Sequence, residues 1–174
     1  PTIAVLPFAN LSTDQEQEFF ADGITEDTIS YFSKSKTFPI VSLNSVMKYK
    51  NSKEATKDIA NALNANYLVQ GSIRKGGNKV RISAKLTDAL EDTQIWSQTW
   101  DRSLNDVFEV QDEVSQKVSA LALPAIIANE QNTLNNKDLK IFSAWDEFLH
   151  SLNSYDKRVK LKTLKRKSNM STKL

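Results

Sequence analysis

Between Val80 and Thr87 apolar and polar residues alternate without interruption: Val80, Ile82, Ala84 and Leu86 are set against Arg81, Ser83, Lys85 and Thr87. A period of two requires a strand with one buried and one wet face, and it restricts the fold more than any other stretch. Tyr67 to Arg74, just before it, is rich in β-forming residues. The two runs are joined by Lys75-Gly76-Gly77-Asn78, whose glycines can take the positive φ of a tight hairpin. Ala89 to Asp92 forms a polar break, and Gln94 to Asp101 alternates again. These residues predict a three-stranded antiparallel meander. They hold no nucleophile-base pair, so they identify a module more readily than an activity.

The rest of the chain reads as layers around that meander. Thr2 to Phe8 is a short continuous apolar run, the mark of an interior strand covered on both faces, with Pro7 near its end. Phe20, Ile24, Thr28, Tyr31 and Phe32 recur at helical spacing up to about Lys34. Gly23 weakens that helix by about 1 kcal/mol relative to alanine, and close packing against a neighbour is the expected reason for it. Phe38 to Leu43 is expected to form a second strand, parallel to the first across a right-handed crossover. Ser52 is placed to cap a helix whose buried stripe is Ala55, Ile59, Ala62 and Leu63, stopped by Asn64 to Asn66. After Arg102, Ser103 or Asn105 is expected to cap a longer helix with Val107, Val110, Val114, Val118 and Leu121 facing the sheet, ended or kinked at Leu123-Pro124. The fold class is therefore α/β: a mixed sheet of about five strands in the order β-α-β-α-β-β-β-α, with helices packed on it and a C-terminal helical extension.

Of the 23 basic residues, eight follow Asp156 with no acid among them, so residues 1–156 hold 15 basic against 21 acidic residues. The globular part is acidic, and nucleic-acid binding through its surface is not expected. The tail, 157–174, reads as a solvated disordered end or as a segment able to touch a polyanion. Residues 129–140 are polar, a linker or frayed helix, and Phe142, Trp145, Phe148, Leu149 and Leu152 return to helical spacing. The expected division is 1–128 as the α/β domain, 129–156 as linker and helix, and 157–174 as tail. No apolar run reaches the ~20 residues of a membrane helix. The chain opens at Pro1 with strand residues and no charged-then-apolar leader, as expected of a fragment or processed product. It contains no cysteine, which excludes disulfides and thiolate-bound metals.

Seven blocks together resemble a known family: 4–12 (Ala-Val-Leu-Pro-Phe-Ala-Asn-Leu-Ser), 18–26 (Glu-Phe-Phe-Ala-Asp-Gly-Ile-Thr-Glu), 67–74, 80–86, Ile95-Trp96, Trp100-Asp101-Arg102 and 110–114 (Val-Gln-Asp-Glu-Val). In this order and spacing, over about residues 2–125, the chain is similar to the TolB amino-terminal-like domain, related to the flagellar protein FlgO. The resemblance implies a small α/β module in bacterial proteins that carry an upstream class III adenylate cyclase or winged-helix DNA-binding domain, a membrane span and downstream tetratricopeptide repeats. Ser143 to His150 resembles the entry into such repeats; after Tyr155 a short basic tail stands where further helix pairs are expected. The resemblance favours a periplasmic or other extracytoplasmic position where a span precedes the domain, with a cytoplasmic position as the alternative, and transfers no cyclase activity, since the catalytic domain would lie upstream of Pro1.

The expected function is a non-catalytic interaction or regulatory domain that binds a protein partner; the second reading is a small-ligand sensor for a nucleotide or metabolite. The candidate partner-binding residues are Trp96, Trp100, Gly71 and Arg74. Trp96 and Trp100 share one side of the last strand, as anchors for a partner or as side chains covered by the helix after Ser103. Gly71 fits a bulge or the close approach of another segment. No catalytic residue, metal site or cofactor is expected. Glu16, Glu18, Asp22, Glu26 and Asp27 read as a solvated acidic face, and His150 has no identifiable co-ligand. Gly71-Ser72 and Gly76-Gly77 do not stand between a strand and a helix N-terminus, so they do not form a phosphate loop.

Overall fold

The computed structural model describes residues 1–136. In chain order the elements are β1 (Ile3–Val5), β2 (Ala9–Asn10), α1 (Glu16–Ser35), α2 (Leu43–Met47), α3 (Thr56–Leu63), β3 (Tyr67–Gly76), β4 (Lys79–Asp88), β5 (Thr93–Ser103) and α4 (Val107–Asn136). The strands form one mixed sheet in the order β1-β3-β4-β5, with β2 also pairing β3. β1 and β2 run parallel to β3, while β3-β4 and β4-β5 are antiparallel, so the α/β mixed sheet of the sequence reading stands. Pro1–Asn129 form one compact unit. Ile141 to Tyr155, His150 and the basic tail lie outside the described residues.

The meander follows the alternation closely. Val80, Ile82, Ala84 and Leu86 are buried, and they sit opposite Lys75, Ile73, Gly71 and Val69 on β3. The β3-β4 turn has Gly77 and Asn78 at its centre, and only Gly77 takes a positive φ, 60°, the pattern of a two-residue turn with glycine first. The β4-β5 ladder shifts register between Leu86 and Thr87, leaving Ile95 as the extra residue of a bulge. At the end of β4 the Asp88 carboxylate accepts the Leu90 and Glu91 amides, which fixes the polar break.

One apolar run becomes two strands. β1 pairs Ile3–Val5 with Tyr67–Val69, and β2 pairs Ala9 with Ser72, so the first chain carries one more residue than β3 between the two ladders. Pro7, which lacks an amide, falls in this bulge. The irregularity turns the Phe8 ring onto Gly71: a Cβ there would stand 2.0 Å from Phe8 Cε1. The Phe8 amide donates to Thr25 Oγ1 on α1 at 3.0 Å, so the bulge is also tied to the helix layer. The expected second strand, Phe38 to Leu43, is reduced to a single parallel bridge between Ile40 and Ile3, and Leu43–Met47 is helical instead. Pro39 has no amide for a ladder, which limits pairing here.

α1 and α4 both contribute to the buried core. Phe20, Ile24, Thr28 and Phe32 are buried on α1, with Tyr31 only half so. Gly23 is there for contact, because a Cβ would lie 2.4 Å from Gln111 Oε1 of α4. The α4 face differs from the expected stripe: Val110, Val114, Val118, Ala122 and Ile126 are buried, at a strict spacing of four, while Val107 and Leu121 are 40% and 42% exposed. Its cap is neither Ser103 nor Asn105. Asp106 Oδ1 accepts the Glu109 amide at 3.0 Å, the capping position immediately before Val107. Pro124 does not end α4, which continues to Asn136.

A second cluster, Ala4, Leu6, Val46, Ile59, Ala60, Ala65, Leu68 and Ala89, closes the opposite face at the β1 end of the sheet. α3 begins at Thr56 after Ala55 and buries Ile59 and Ala60, whereas Ala55 and Ala62 are exposed. Ser52 does not cap it; its hydroxyl accepts the Glu54 amide in a local turn. Asn64, left-handed at φ 51°, ends the helix as expected.

Candidate protein-docking edge

β5 is the outermost strand of the sheet and has one strand neighbour, β4, among the described residues. Its eleven residues include no proline and no lysine, so it lacks two common devices that blunt sheet edges. The direction of its unpaired groups follows from the ladder. The Leu104 amide donates to the Asn78 carbonyl, continuing the β4-β5 pairing by one step beyond Lys79 and Ser103. Hydrogen-bonded and non-bonded pairs alternate in an antiparallel ladder. Arg102, Trp100, Gln98 and Trp96 therefore bond to β4, while Ser97, Thr99, Asp101 and Ser103 turn their amides and carbonyls outward. The Arg102 guanidinium donates to the Asp101 carbonyl at 2.9 Å, as an outward-facing acceptor allows.

The two faces flanking this edge differ in chemistry. On the helix-covered face Trp100 stands opposite Ile82 and Trp96 opposite Leu86. Trp100 is buried and Trp96 half-buried, and their ring centroids are 6.2 Å apart across Gln98. On the other face Arg81 meets Asp101 in a bidentate pair at 2.7 and 2.8 Å, and the Ser83 and Thr99 hydroxyls are 3.1 Å apart. Arg74 lies directly opposite Arg81 there and is exposed. Gln70, Ser72, Ser83, Lys85, Ser97 and Thr99 line a shallow depression on this face.

α4 holds the edge from behind. Glu113 receives two hydrogen bonds from Arg102, at 2.9 and 2.7 Å, and one from Lys117. Arg102 first, and then Lys117, lower the Glu113 carboxyl to about 2. Deeper in, the Asn129 amide donates to both Tyr67 Oη and Asp88 Oδ2 at 2.9 Å.

Of the four candidate residues, Trp96 and Arg74 present side chains to solvent, Trp100 is packed, and Gly71 serves the Phe8 ring. Spacing identified both tryptophans, but not which one is covered. The outward amides of 97, 99, 101 and 103 are invisible to residue typing, because they are backbone groups. Parts of the acidic face are engaged: Lys50 reaches Glu18 at 3.0 Å and Asp22 at 2.7 Å, and Asp27 accepts a hydrogen bond from Gln111 at 2.6 Å. Among the described residues, no group of three or more His, Cys, Asp or Glu side chains could hold a metal ion. No described helix is long and apolar enough to cross a membrane.

Residues 1–121 match the model of the HilA/YgeH-like transcriptional regulator family, second domain. The chain belongs to that family. A curated relative named putative adenylate cyclase 3, from Rhizobium meliloti (strain 1021), is 35% identical over 151 residues, covering 87% of this chain. That match takes up 26% of the relative, so the chain spans about a quarter of its length. Among solved structures, TolB from Acinetobacter baumannii superposes with a TM-score of 0.53 at 18% identity, over 72% of this chain and 28% of TolB. Lipoprotein GNA1162 from Neisseria meningitidis gives 0.51 at 14% identity, over 68% of this chain and 98% of that one. The TolB-like fold expected from the sequence is thus present, in a domain whose family is the second domain of HilA/YgeH-like regulators.

Proposed function

We propose that this HilA/YgeH-family domain is a non-catalytic interaction module that accepts a strand of a protein partner on the β5 edge and relays that binding to an output domain elsewhere in a longer bacterial signalling or envelope protein. One observation carries the reading: an eleven-residue edge with the amides of Ser97, Thr99, Asp101 and Ser103 turned outward and neither proline nor lysine along it. Main-chain hydrogen bonds along such an edge supply affinity, and side chains flanking it supply selectivity. Trp96, half-exposed beside this edge, is the residue for that selectivity; Arg74, exposed on the other face, stands on β3, two strands in from it. The family supports a regulatory role, and the relative named a putative cyclase, matched over about a quarter of its length, supports attachment to a separate output domain. One fold neighbour is a lipoprotein by name, which favours an extracytoplasmic position. Residues 129–156 are then the connection to further domains such as tetratricopeptide repeats, and 157–174 a tail.

The test is a photo-crosslinking amino acid placed at Ser97 in the source cell, with Asn61 on α3 as control. A discrete protein adduct from position 97 and none from 61 is the expected result. Equal adducts from both, or adducts from 61 alone, would remove the edge from the mechanism.

The polar depression beside β5 favours one other reading, a small-ligand sensor with a nucleotide or metabolite held by Lys85, Gln70 and the neighbouring hydroxyls. A ligand at a hundred times its dissociation constant would stabilise the domain by about 2.7 kcal/mol. A metabolite panel that leaves the melting temperature unchanged would sink it.

A further inference from the structure

We propose that the strand accepted by the β5 edge is the β5 of a second copy of this chain, paired antiparallel about a two-fold axis through Gln98. The inference rests on the edge reading above and names its partner.

Only some self-pairings are open to this strand. The groups that turn outward belong to Ser97, Thr99, Asp101 and Ser103, so the new hydrogen-bonded pairs must use odd-numbered residues on both copies, and a two-fold axis can pass through Gln98, Thr99, Trp100, Asp101 or Arg102, the last setting two guanidiniums opposite each other. An axis at Asp101 sets two carboxylates directly opposite each other, which is destabilising. An axis at Thr99 sets Trp96 against Arg102, whose guanidinium is already engaged by Glu113. An axis at Trp100 pairs that residue with its own copy and leaves Trp96 without an aromatic partner.

The Gln98 axis satisfies the strand on both faces. Trp96 and Trp100 are each two residues from Gln98, so each falls opposite the other type of the second copy. These are non-hydrogen-bonded pairs, where side chains approach closest and aromatic pairs contribute most. The part of Trp96 that its own domain leaves exposed is then covered. On the opposite face Ser97 meets Thr99 of the second copy, two small hydroxyl side chains. Asp101 and Arg102 lie beyond the last regular pair, where the second copy's strand leaves register at the Ile95 bulge, so no like charges meet. The product is one continuous sheet crossing both copies, with α4 of each on the same face as the tryptophans.

The chain has no cysteine, so a single one reports the register. At the Gln98 axis the two Gln98 Cα atoms stand about 4.5 Å apart, within disulfide range. In the full chain, Gln98→Cys is expected to give a disulfide-linked dimer under mild oxidation, whereas Ser103→Cys is expected to give at least tenfold less. Sedimentation of the unsubstituted chain is expected to show twice the monomer mass. Thr99→Pro removes an outward amide, and S97K/T99K sets lysines opposite lysines while leaving both on solvent in the monomer; each should return the chain to monomer with its circular dichroism intact. A monomer at every soluble concentration overturns the inference, as does a dimer that neither variant disrupts. If the chain is monomeric while photo-crosslinking at Ser97 still captures another protein, the second copy is wrong and the edge reading survives. If the chain is monomeric and Ser97 captures nothing, both fall.

Discussion

The sheet has two edges, and the protein treats them differently. At β1, the Ile3 amide donates to Pro39 at 3.0 Å and the Val41 amide donates to Ile3 at 2.9 Å, so a passing segment covers the strand after one bridge. β1 itself is three residues long, and the chain bends away at the Pro7-Phe8 bulge. A short, covered, proline-interrupted edge cannot template another strand. At β5, eleven residues run to the limit of the sheet, with tryptophans on one face and hydroxyls on the other. The covered edge is where the core is closed, since Ile3, Ala4, Val5 and Leu6 are all buried. The open edge borders the half-buried Trp96 and the exposed Ser97, Gln98 and Thr99. Stability should therefore depend on the first edge, and association on the second.

That contrast can be broken most directly at Phe8. Phe8→Ala empties the space over Gly71 and should cost about 3–5 kcal/mol in denaturant unfolding, the range for deleting a buried aromatic ring; a loss below about 1 kcal/mol would mean that the bulge is not part of the core. Next, Val41→Pro removes the donor to the buried Ile3 carbonyl and should cost about 1–3 kcal/mol. Losing nothing there would make the two edges equivalent. Asp106→Ala removes the cap of α4, with an expected loss of about 1 kcal/mol; Ser103→Ala, which removes no cap, should lose less.

The link between α4 and the open edge is sharpened by pH. Glu113 titrates near 2 in the fold rather than at its ordinary 4.5, so the stability it contributes is present above about 4.5 and is lost as pH falls towards 2. With its side chain about a third exposed, the expected contribution is about 1 kcal/mol. Glu113→Gln should lower the melting temperature at pH 7 and fall closer to the unsubstituted chain as pH is brought down to 2; an equal difference at both would assign the effect to packing. The smallest effect on stability belongs to the open edge itself. At concentrations where the unsubstituted chain is monomeric, Thr99→Pro should change unfolding by less than about 1 kcal/mol, because the amide it removes then faces solvent. A larger loss would show that β5 is held on both sides.

How much of this was legible beforehand depended on how local each cause was. The meander could be read because alternation, hairpin glycine and polar break are each set by a few neighbouring residues. Gly23 and Gly71 could be recognised as contact glycines, although nothing nearby in sequence named Gln111 or Phe8 as what they meet. Asp106-Val-Phe-Glu109 fits the capping pattern, but Ser103 and Asn105 offer competing caps one to three residues earlier, and sequence alone does not choose among the three. Hydrophobicity points Leu121 into the buried stripe, but the strict spacing of four through Ala122 and Ile126 sets the buried face of α4. Phe38 to Leu43 reads as a strand by composition; beyond the single bridge, its residues are drawn into α2 and the cluster around Val46.

Period and turn chemistry act over a few residues, so they fix the α/β class, the meander with its turn and the presence of α1, α3 and α4, though not α2 or where α4 ends. The tertiary structure alone decided which tryptophan is covered, which carboxylates are engaged, where Pro7 breaks the first strand and which backbone groups of β5 point outward. Each of these depends on what another segment, distant in the chain, places alongside, and no local pattern encodes that neighbour.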